Sequence, residues 1–417
     1  MRIHFIGIKG VSMGFLAQLC QRAGVKTSGS DITLDGHKAQ NVVGADYVVY
    51  NSAIGEDNVE LVEARRRGIP LVTRAELLGV ISHLYKSVVA ISGTHGKTTT
   101  AAMMSETLKK LNPTCHVGGA VRGTFGAIGG KDLFITEACE YKENFLSLSP
   151  DYLIVLNVDF DHADYYKTYD NFYEAFRKMA AKSKVAFVCG DNNAATLKGR
   201  ELTYTFGLES TNDYYAQIKT EVNGYYTFKA FFRGEIIGKV TLGVRGLHNV
   251  INAMAVIAYC HHVKADFGMI RNFAGVDRRF ETLGVIDGIE YISDYAHHPN
   301  EIDCALSTAK GLFKRVLAVF EPHTYSRTEK FYKQFVASLS KSDECLLLPV
   351  FAAREVEKKG VSSALIASEG GFLLANSYRH AKKMILEREK EFDCVLFLGA
   401  GTIDNFARKF VLDKQTE

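Results

Sequence analysis

The stretch "VVAISGTHGKTTTAAMM", Val88 to Met104, sets a lysine and three threonines directly behind two glycines. Residues of these types in this order do phosphate chemistry. Glycines let backbone N–H groups approach phosphate oxygens, a lysine reaches the β- and γ-phosphates, and a hydroxyl at the helix start ligates Mg²⁺. The usual spacing, G-x-x-x-x-G-K-[ST], would require glycine at position 91, where Ile91 stands. The first glycine is Gly93, so the loop is two residues short. Its setting is still right, because "SVVAI" reads as a strand and "TTTAAMMSETLKKL" as a helix. A merely structural turn has no use for Lys97 and Thr98 at this place.

A phosphate loop needs acidic and metal-ligating partners at neighbouring strand ends, since Mg²⁺ takes oxygen ligands and rarely a complete protein cage. "LFITEACE" ends one predicted strand with Glu137 and Glu140, and "LIVLNVDFDH" ends another with Asn157, Asp159, Asp161 and His162. Singly, each is an ordinary loop residue. Together at the carboxyl ends of strands they form a set, because open α/β sheets bind ligands there. A second candidate lies at "GIKGVSMG". Gly7, Gly10 and Gly14 follow a strand and open a helix, although G-x-x-G-x-x-x-G departs from the dinucleotide spacing. Asp31 ends the next predicted strand, placed either to bond a ribose or base or to act as a turn acid.

The elements that must carry these groups recur along the chain. "RIHFIGI", "DYVVYNSA", "DLFITEA", "DYLIVLNV", "VAFVCG", "RVLAVFE", "ECLLLPV" and "CVLFLGAG" are short apolar strands alternating with helical periodicity. That pattern predicts an α/β protein whose sheets are covered on both faces. The 417 residues divide into three expected blocks: 1–86, 87–282 and 283–417. Within the second, "YYAQIKTEVNGYYTFKAFFRGEIIGKVTLGV" alternates around Asn223-Gly224 and Arg233-Gly234-Glu235, which predicts inserted antiparallel hairpins.

Composition excludes several classes. The 50 basic and 47 acidic residues give a net charge of +3, without the basic excess of a nucleic-acid binder. Arg65, Arg66 and Arg67 read as the solvated end of a helix before Gly68. The 8 cysteines are scattered singly, which indicates neither a disulfide framework nor a zinc site and fits a reducing, cytoplasmic setting. No apolar run reaches the roughly 18 residues of a membrane span, and the glycine-broken N-terminus does not read as a signal peptide.

In this setting the chain resembles the Mur ligase family. The resemblance runs nearly end to end through "HFIGIKGVSMG", "SGSD", "GIPLVTRAELL", "GTHGKTTT", "NVDFDHADYY", "HNVINAMA", "GVDRRFE", "DYAHHPNEI", "EPHTYSRT" and "LPVFAAREVEKKGVSS". The family's loop has the same shortened form. The resemblance implies three domains: an N-terminal Rossmann-like domain for a UDP-sugar, a central ATPase domain, and a C-terminal Rossmann-like domain that receives the amino acid and closes over the site. It implies that Gly7, Gly10, Ser12, Met13, Gly14, Ser30, Asp31 and Ser52 hold the UDP-sugar. It places Gly93, Thr94, His95, Gly96, Lys97, Thr98, Thr99, His248, Asn252, Arg279 and Asp294 at ATP. Thr98, Glu137 and His162 become metal ligands, for Mg²⁺ or Mn²⁺, and Tyr295, His297 and Arg327 line the amino-acid site. The catalytic set is then Lys97, Glu137, His162, Arg279, His297 and Arg327.

The implied activity is that of the family's alanine-adding members. ATP phosphorylates the lactyl carboxylate of UDP-N-acetylmuramate, and the amino group of L-alanine displaces phosphate to complete an amide for peptidoglycan. The expected partners are these small molecules, with no nucleic acid and no membrane insertion, for a monomer or homodimer. Two alternatives are a paralogous Mur-type ligase serving muropeptide recycling or another amino acid, and a non-catalytic nucleotide-sensing scaffold. The sequence departs from the family at "EACEY", where Cys139 replaces an aspartate, and at "PHTYSR", where Thr324 replaces an arginine. Arg177 stands where sister ligases carry a carbamylated lysine, so no carbamate is expected.

Overall fold

The computed structural model describes residues 1–119, 126–162, 165–197, 202–353 and 355–416. Ala163 and Asp164 of "NVDFDHADYY", and Arg354 of "LPVFAAREVEKKGVSS", lie outside them. The chain divides into two compact units. One comprises residues 1–217, 229–240 and 251–273, the other residues 218–228, 241–250 and 274–417.

The first unit begins with β1 (Arg2–Ile6), α1 (Val11–Arg22), β2 (Lys26–Ser30), β3 (Tyr47–Tyr50), α2 (Val59–Arg66), β4 (Leu71–Thr73) and α3 (Arg74–Ser82). The four strands form a parallel sheet in the order β2-β1-β3-β4. Caps define the helices. Asn58 accepts the N–H groups of Glu60 and Leu61 at the start of α2, and Thr73 with Glu76 forms a capping box at α3. At the end of α2, Arg66 and Arg67 pair with Glu63 and Gly68 turns at φ 68°, as the basic run predicts.

A nine-stranded sheet follows, built from β5 (Ser87–Ser92), α4 (Lys97–Thr107), β6 (Thr114–His116), β7 (Leu133–Glu137), β8 (Tyr152–Val155), α5 (Tyr169–Lys182), β9 (Val185–Cys189), β10 (Thr203–Gly207), β11 (Tyr214–Val222), β12 (Tyr225–Phe232), β13 (Glu235–Arg245) and α6 (Leu247–His262). Its order is β13-β12-β11-β10-β9-β8-β5-β7-β6. The apolar run of β5 is buried along its length, as a central parallel strand requires. α5 buries Phe172, Ala175, Phe176, Met179 and Ala180, the spacing of one helix face. The expected hairpins are present. β11, β12 and β13 are joined by Asn223-Gly224 and Arg233-Gly234, all four at positive φ, and two-residue connections between neighbouring strands leave only the antiparallel arrangement. Glu235 belongs to β13 rather than to the turn.

The second unit holds most of the remaining chain: β14 (Glu281–Ile286), β15 (Ile289–Asp294), α7 (Pro299–Leu312), β16 (Val316–Phe320), α8 (Tyr325–Leu339), β17 (Glu344–Leu347), α9 (Ser363–Gly370), β18 (Leu373–Leu374), α10 (Tyr378–Arg388), β19 (Cys394–Leu398) and α11 (Ile403–Thr416). The sheet order is β14-β15-β19-β16-β17-β18, parallel except for β14. β16 shows how it is covered on both faces. Val316, Ala318 and Phe320 enter one core with Phe335 and Leu339, while Leu317 and Val319 enter the other with Phe397 and Phe410. The expected boundary at 282/283 falls inside β14, whose length pairs with β15 around Asp287-Gly288. A break before Glu281 keeps that hairpin whole. Among the described residues no helix is long and apolar enough to cross a membrane.

Candidate active site

In the nine-stranded sheet β7 and β8 lie on opposite sides of β5, which makes the carboxyl end of β5 a topological switch point. The loop Gly93–Gly96 leaves from that end. Gly93 has φ 133°, and a Cβ there would stand 3.1 Å from the Asn157 nitrogen. Gly96 has φ 83° and caps α4, and a Cβ there would stand 2.9 Å from Asn252 Oδ1. Both positions therefore need glycine for conformation and for space. The loop is strapped to the exit of β8. His95 N donates to Asn157 Oδ1 at 2.8 Å, Asn157 Nδ2 donates to His95 O at 3.1 Å, and Thr94 Oγ1 donates to Asp159 O at 2.7 Å. No side chain caps α4, whose first residues are Lys97, Thr98 and Thr99, so its N-terminus faces the loop with its dipole available to an anion.

Lys97 turns back over this loop. Its Nζ donates to Gly93 O, to Thr94 O at 3.0 Å and to Glu140 Oε1 at 3.1 Å. Burial alone would lower the lysine's pKa, but Glu140, with Cys139 and Glu137 nearby, holds it above the ordinary value. Glu140 is 2% exposed and also meets His162 Nε2 at 3.4 Å. Burial opposes its charge, yet Lys97 and His162 keep it below the usual carboxylate range. His162 sits at φ 53°, a strained position for a residue with a side chain, with its ring 4.7 Å from that of Tyr141. Glu137, at the end of β7, accepts the N–H of Gly118. Glu140, expected only as one of the acidic partners at the strand ends, is thus the residue that joins Lys97 to His162.

Among the described residues no three His, Cys, Asp or Glu side chains gather as a metal cage. Thr98 and Glu137 are oxygen donors at a helix start and a strand end, which fits a hard cation that takes most of its ligands from water and phosphate. His162 offers nitrogen and is held by Glu140, a poorer fit to Mg²⁺ as a direct ligand.

At the first glycine loop, Gly7 turns at φ 79° and donates to Ser30 O at 2.8 Å. Asp31 accepts Lys9 N on one oxygen and Thr33 N and Oγ1 on the other. The Thr33 N–H is the main cause of its lowered pKa. Of the two readings of Asp31, bracing the turn is the one its contacts show. Ser30 donates to Glu60 Oε2 at 2.6 Å. Burial would raise the Glu60 pKa, but His4, Ser30, Asn41 and Lys38 N hold it at about 2. The Ser30 side chain therefore donates inward, to Glu60. Met13 is buried in the core and offers a ligand only its backbone. Gly10 and Gly14 approach the carbonyls of Gly7 and Ile8, Ser12 is bonded to His116, and Ser52 is exposed after β3.

In the second unit the expected residues lie at the carboxyl ends of β15 and β16. Asp294 accepts Phe280 N at 2.8 Å and Ala296 N at 2.7 Å, and burial beside Arg279 leaves its pKa raised to about 6. The Arg278 and Arg279 guanidinium groups lie 4.7 and 4.9 Å from the Tyr295 ring. Arg279 reaches Glu301 at 3.7 Å. His297 Nδ1 donates to Tyr295 O at 2.9 Å, and burial, with Arg327 and His323 nearby, holds it down to about 3 despite Glu301. Arg327 Nη1 lies 3.3 Å from His323 Nδ1. Thr324, the N-cap residue of α8, is at φ 65°. His248 is held down to about 4 by burial and then by Arg279. Asn252 of α6 stands over Gly96. Glu301 and His323 were in quoted motifs but unassigned. Arg74 was likewise in a quoted motif and unassigned, whereas Glu60 and His116 gave no signal, because their partners are distant in sequence.

A shortened phosphate loop at a switch point, with two further nucleotide-type sheets in the chain, defines an α/β enzyme of the ATP-using class. Sequence profiles of three domains match it: Mur ligase family, catalytic domain, over residues 2–86; Mur ligase middle domain, over residues 91–260; and Mur ligase, glutamate ligase domain, over residues 278–401. The chain belongs to the Mur ligase family, whose members are ATP-dependent ligases. It is 38% identical to the UDP-N-acetylmuramate–L-alanine ligase of Caldanaerobacter subterraneus over 98% of this chain and 97% of that one. It is 33% identical to the enzyme of that name from Aquifex aeolicus over 100% and 98%. The crystal structure of the UDP-N-acetylmuramate-alanine ligase from Thermotoga maritima superposes with a TM-score of 0.84 at 28% identity, covering 100% and 99% of the two chains.

Proposed function

We propose that this protein is the ATP-dependent ligase that joins L-alanine to the lactyl carboxylate of UDP-N-acetylmuramate, in peptidoglycan precursor synthesis. The observation that carries the reading is the full-length 38% identity to an enzyme of that activity. Lys97 and Glu140, at a loop of the family's shortened form, agree with it.

A carboxylate is a poor electrophile, so its oxygen first takes the γ-phosphoryl group and ADP leaves. The amino group then attacks the acyl carbon and phosphate departs. Positioning and charge neutralisation dominate such transfers. Lys97 and the N-terminus of α4 receive the phosphates, whose charge Arg279 also offsets. Thr98 and Glu137 would hold Mg²⁺, which neutralises phosphate charge when bound. The first glycine loop and Ser52 take the UDP-sugar. Arg327 meets the amino acid's carboxylate, which a guanidinium matches bidentately, beside Tyr295 and a neutral His297.

The test is to incubate purified protein with ATP, Mg²⁺ and UDP-N-acetylmuramate, offer amino acids one at a time, and measure phosphate release. Release with L-alanine is expected. No release with any amino acid would sink the ligase reading, and release with glycine or serine but not alanine would sink the choice of amino acid.

A further inference from the structure

His116, the last residue of β6, is buried between two elements of the first unit that carry different expected ligands. Its Nε2 lies 2.8 Å from Ser12 Oγ in the first turn of α1, where the first glycine loop ends, and its Nδ1 lies 3.0 Å from Thr136 Oγ1, one residue before Glu137. Two further bonds complete a chain. Arg74 Nη1 donates to Ser12 Oγ at 3.2 Å, and Thr136 Oγ1 donates to Glu137 O at 3.0 Å.

Counting protons sets every direction. The single Thr136 hydroxyl proton goes to Glu137 O, so His116 Nδ1 must donate to Thr136. A neutral ring then leaves Nε2 as an acceptor, which the Ser12 hydroxyl satisfies while Arg74 donates into it. No other neutral arrangement satisfies all four contacts. Burial, and then Arg74, hold the ring's pKa down to about 3, so it stays neutral. Two residues beyond His116, the N–H of Gly118 bonds the Glu137 carboxylate itself. The end of β6 therefore grips the Glu137 strand end at two points while its imidazole is held by the glycine loop.

We propose that His116 is a positioning residue that couples the UDP-sugar loop to the carboxylate end of the phosphate site. This rests on the functional reading above. A UDP-sugar contacting Arg74 keeps that guanidinium on Ser12 Oγ and Ser12 donating into Nε2. The ring then holds Thr136 and Glu137 in the geometry that receives the nucleotide, so occupancy of one site tightens the other. Ser12 and Arg74 are 62 residues apart in sequence and Ser12 and His116 are 104 apart, so the link exists only in the folded chain.

Two measurements test it. In protein carrying ¹⁵N-histidine, His116 should show protonated Nδ1 and bare Nε2 throughout pH 5 to 8, and a protonated Nε2 would overturn the chain. In calorimetry, the affinity for a non-hydrolysable ATP analogue should rise about fivefold or more when UDP-N-acetylmuramate saturates the wild type. His116→Asn, which keeps the donor to Thr136 but does not reach Ser12, should bring that ratio below about twofold and leave affinity for the analogue alone near wild type. Thr136→Val should do the same and serves if His116→Asn melts early. A wild-type ratio of one, or an unchanged ratio in folded variants, removes the coupling alone. Failure of the wild type to bind UDP-N-acetylmuramate removes the functional reading and the coupling with it.

Discussion

Lys97 Nζ lies 3.0 Å from Glu140 Oε2 and 3.1 Å from Oε1, so the lysine of the phosphate loop is paired with a carboxylate that is 2% exposed. The pair keeps an otherwise costly ammonium charged inside the protein and aims it at the loop. Removing one partner of such a pair leaves the other charge buried, at a cost of about 3–5 kcal/mol.

Lys97→Ala should therefore abolish phosphate release while the dissociation constant for UDP-N-acetylmuramate stays within about threefold. A collapse of UDP-sugar affinity would show that the two nucleotide sites are not separate.

Glu140→Gln should lower the melting temperature and slow turnover at least about a hundredfold. The Glu140 pKa is depressed from 4.5 and that of Lys97 raised from 10.5. The acid's contribution is complete above 4.5 and is lost as pH falls through the folded value. The lysine's is complete below 10.5 and is lost as pH rises through its folded value. The melting difference between wild type and Glu140→Gln should be flat from pH 6 to 9 and shrink in acid. A difference independent of pH down to 3 would contradict the pairing.

Gly96→Ala places a Cβ at φ 83° and 2.9 Å from Asn252 Oδ1. The conformation alone costs about 1–2 kcal/mol, and the close approach forces either the loop or Asn252 to move. The expected result is a rise in KM for ATP with a smaller change for UDP-N-acetylmuramate. Steady-state kinetics in both substrates would reveal the opposite pattern if the loop did not bind ATP.

Burial raises the Asp294 pKa from 3.8 to about 6, against the pull of Arg279. Between those values the native chain holds a proton that the unfolded chain releases, so this group makes stability fall as pH rises through the window. The effect is at most about 3 kcal/mol, the free energy that separates the two pKa values. In urea titrations Asp294→Asn should gain stability relative to wild type between pH 4 and 7. No relative gain would mean that Asp294 ionises normally.

Arg327→Lys keeps the charge but loses the planar fork. KM for the amino acid should rise about tenfold or more, with KM for ATP nearly unchanged. A parallel rise in both would place Arg327 at the nucleotide.

The alternation of short apolar strands with helices, the loop at Gly93–Gly96, and the Asn-Gly and Arg-Gly hairpins were legible because their causes are local. A buried parallel strand must be apolar throughout, and a two-residue turn at positive φ selects glycine. The hairpin β14–β15 was equally local, since Asp287-Gly288 is a turn pair, yet its irregular alternation and the bulge between Thr282 and Gly284 hid it, and the expected boundary cut it.

What the tertiary structure alone decided was which side chains spend their polar atoms on one another. By itself the sequence determined the class of fold, the phosphate loop and the acidic strand ends. It could not show that Ser30 turns to Glu60, that Asp31 braces a turn, that Met13 joins the core, or that Glu140 rather than Glu137 holds Lys97. Apart from the local Asp31–Thr33 contact, those outcomes depend on distance and burial between residues tens of positions apart, where the cost of leaving a polar group unpaired selects the partner. His116 shows this most plainly: a buried histidine in a three-residue strand acquired its meaning only when Ser12 and Thr136 met its two nitrogens.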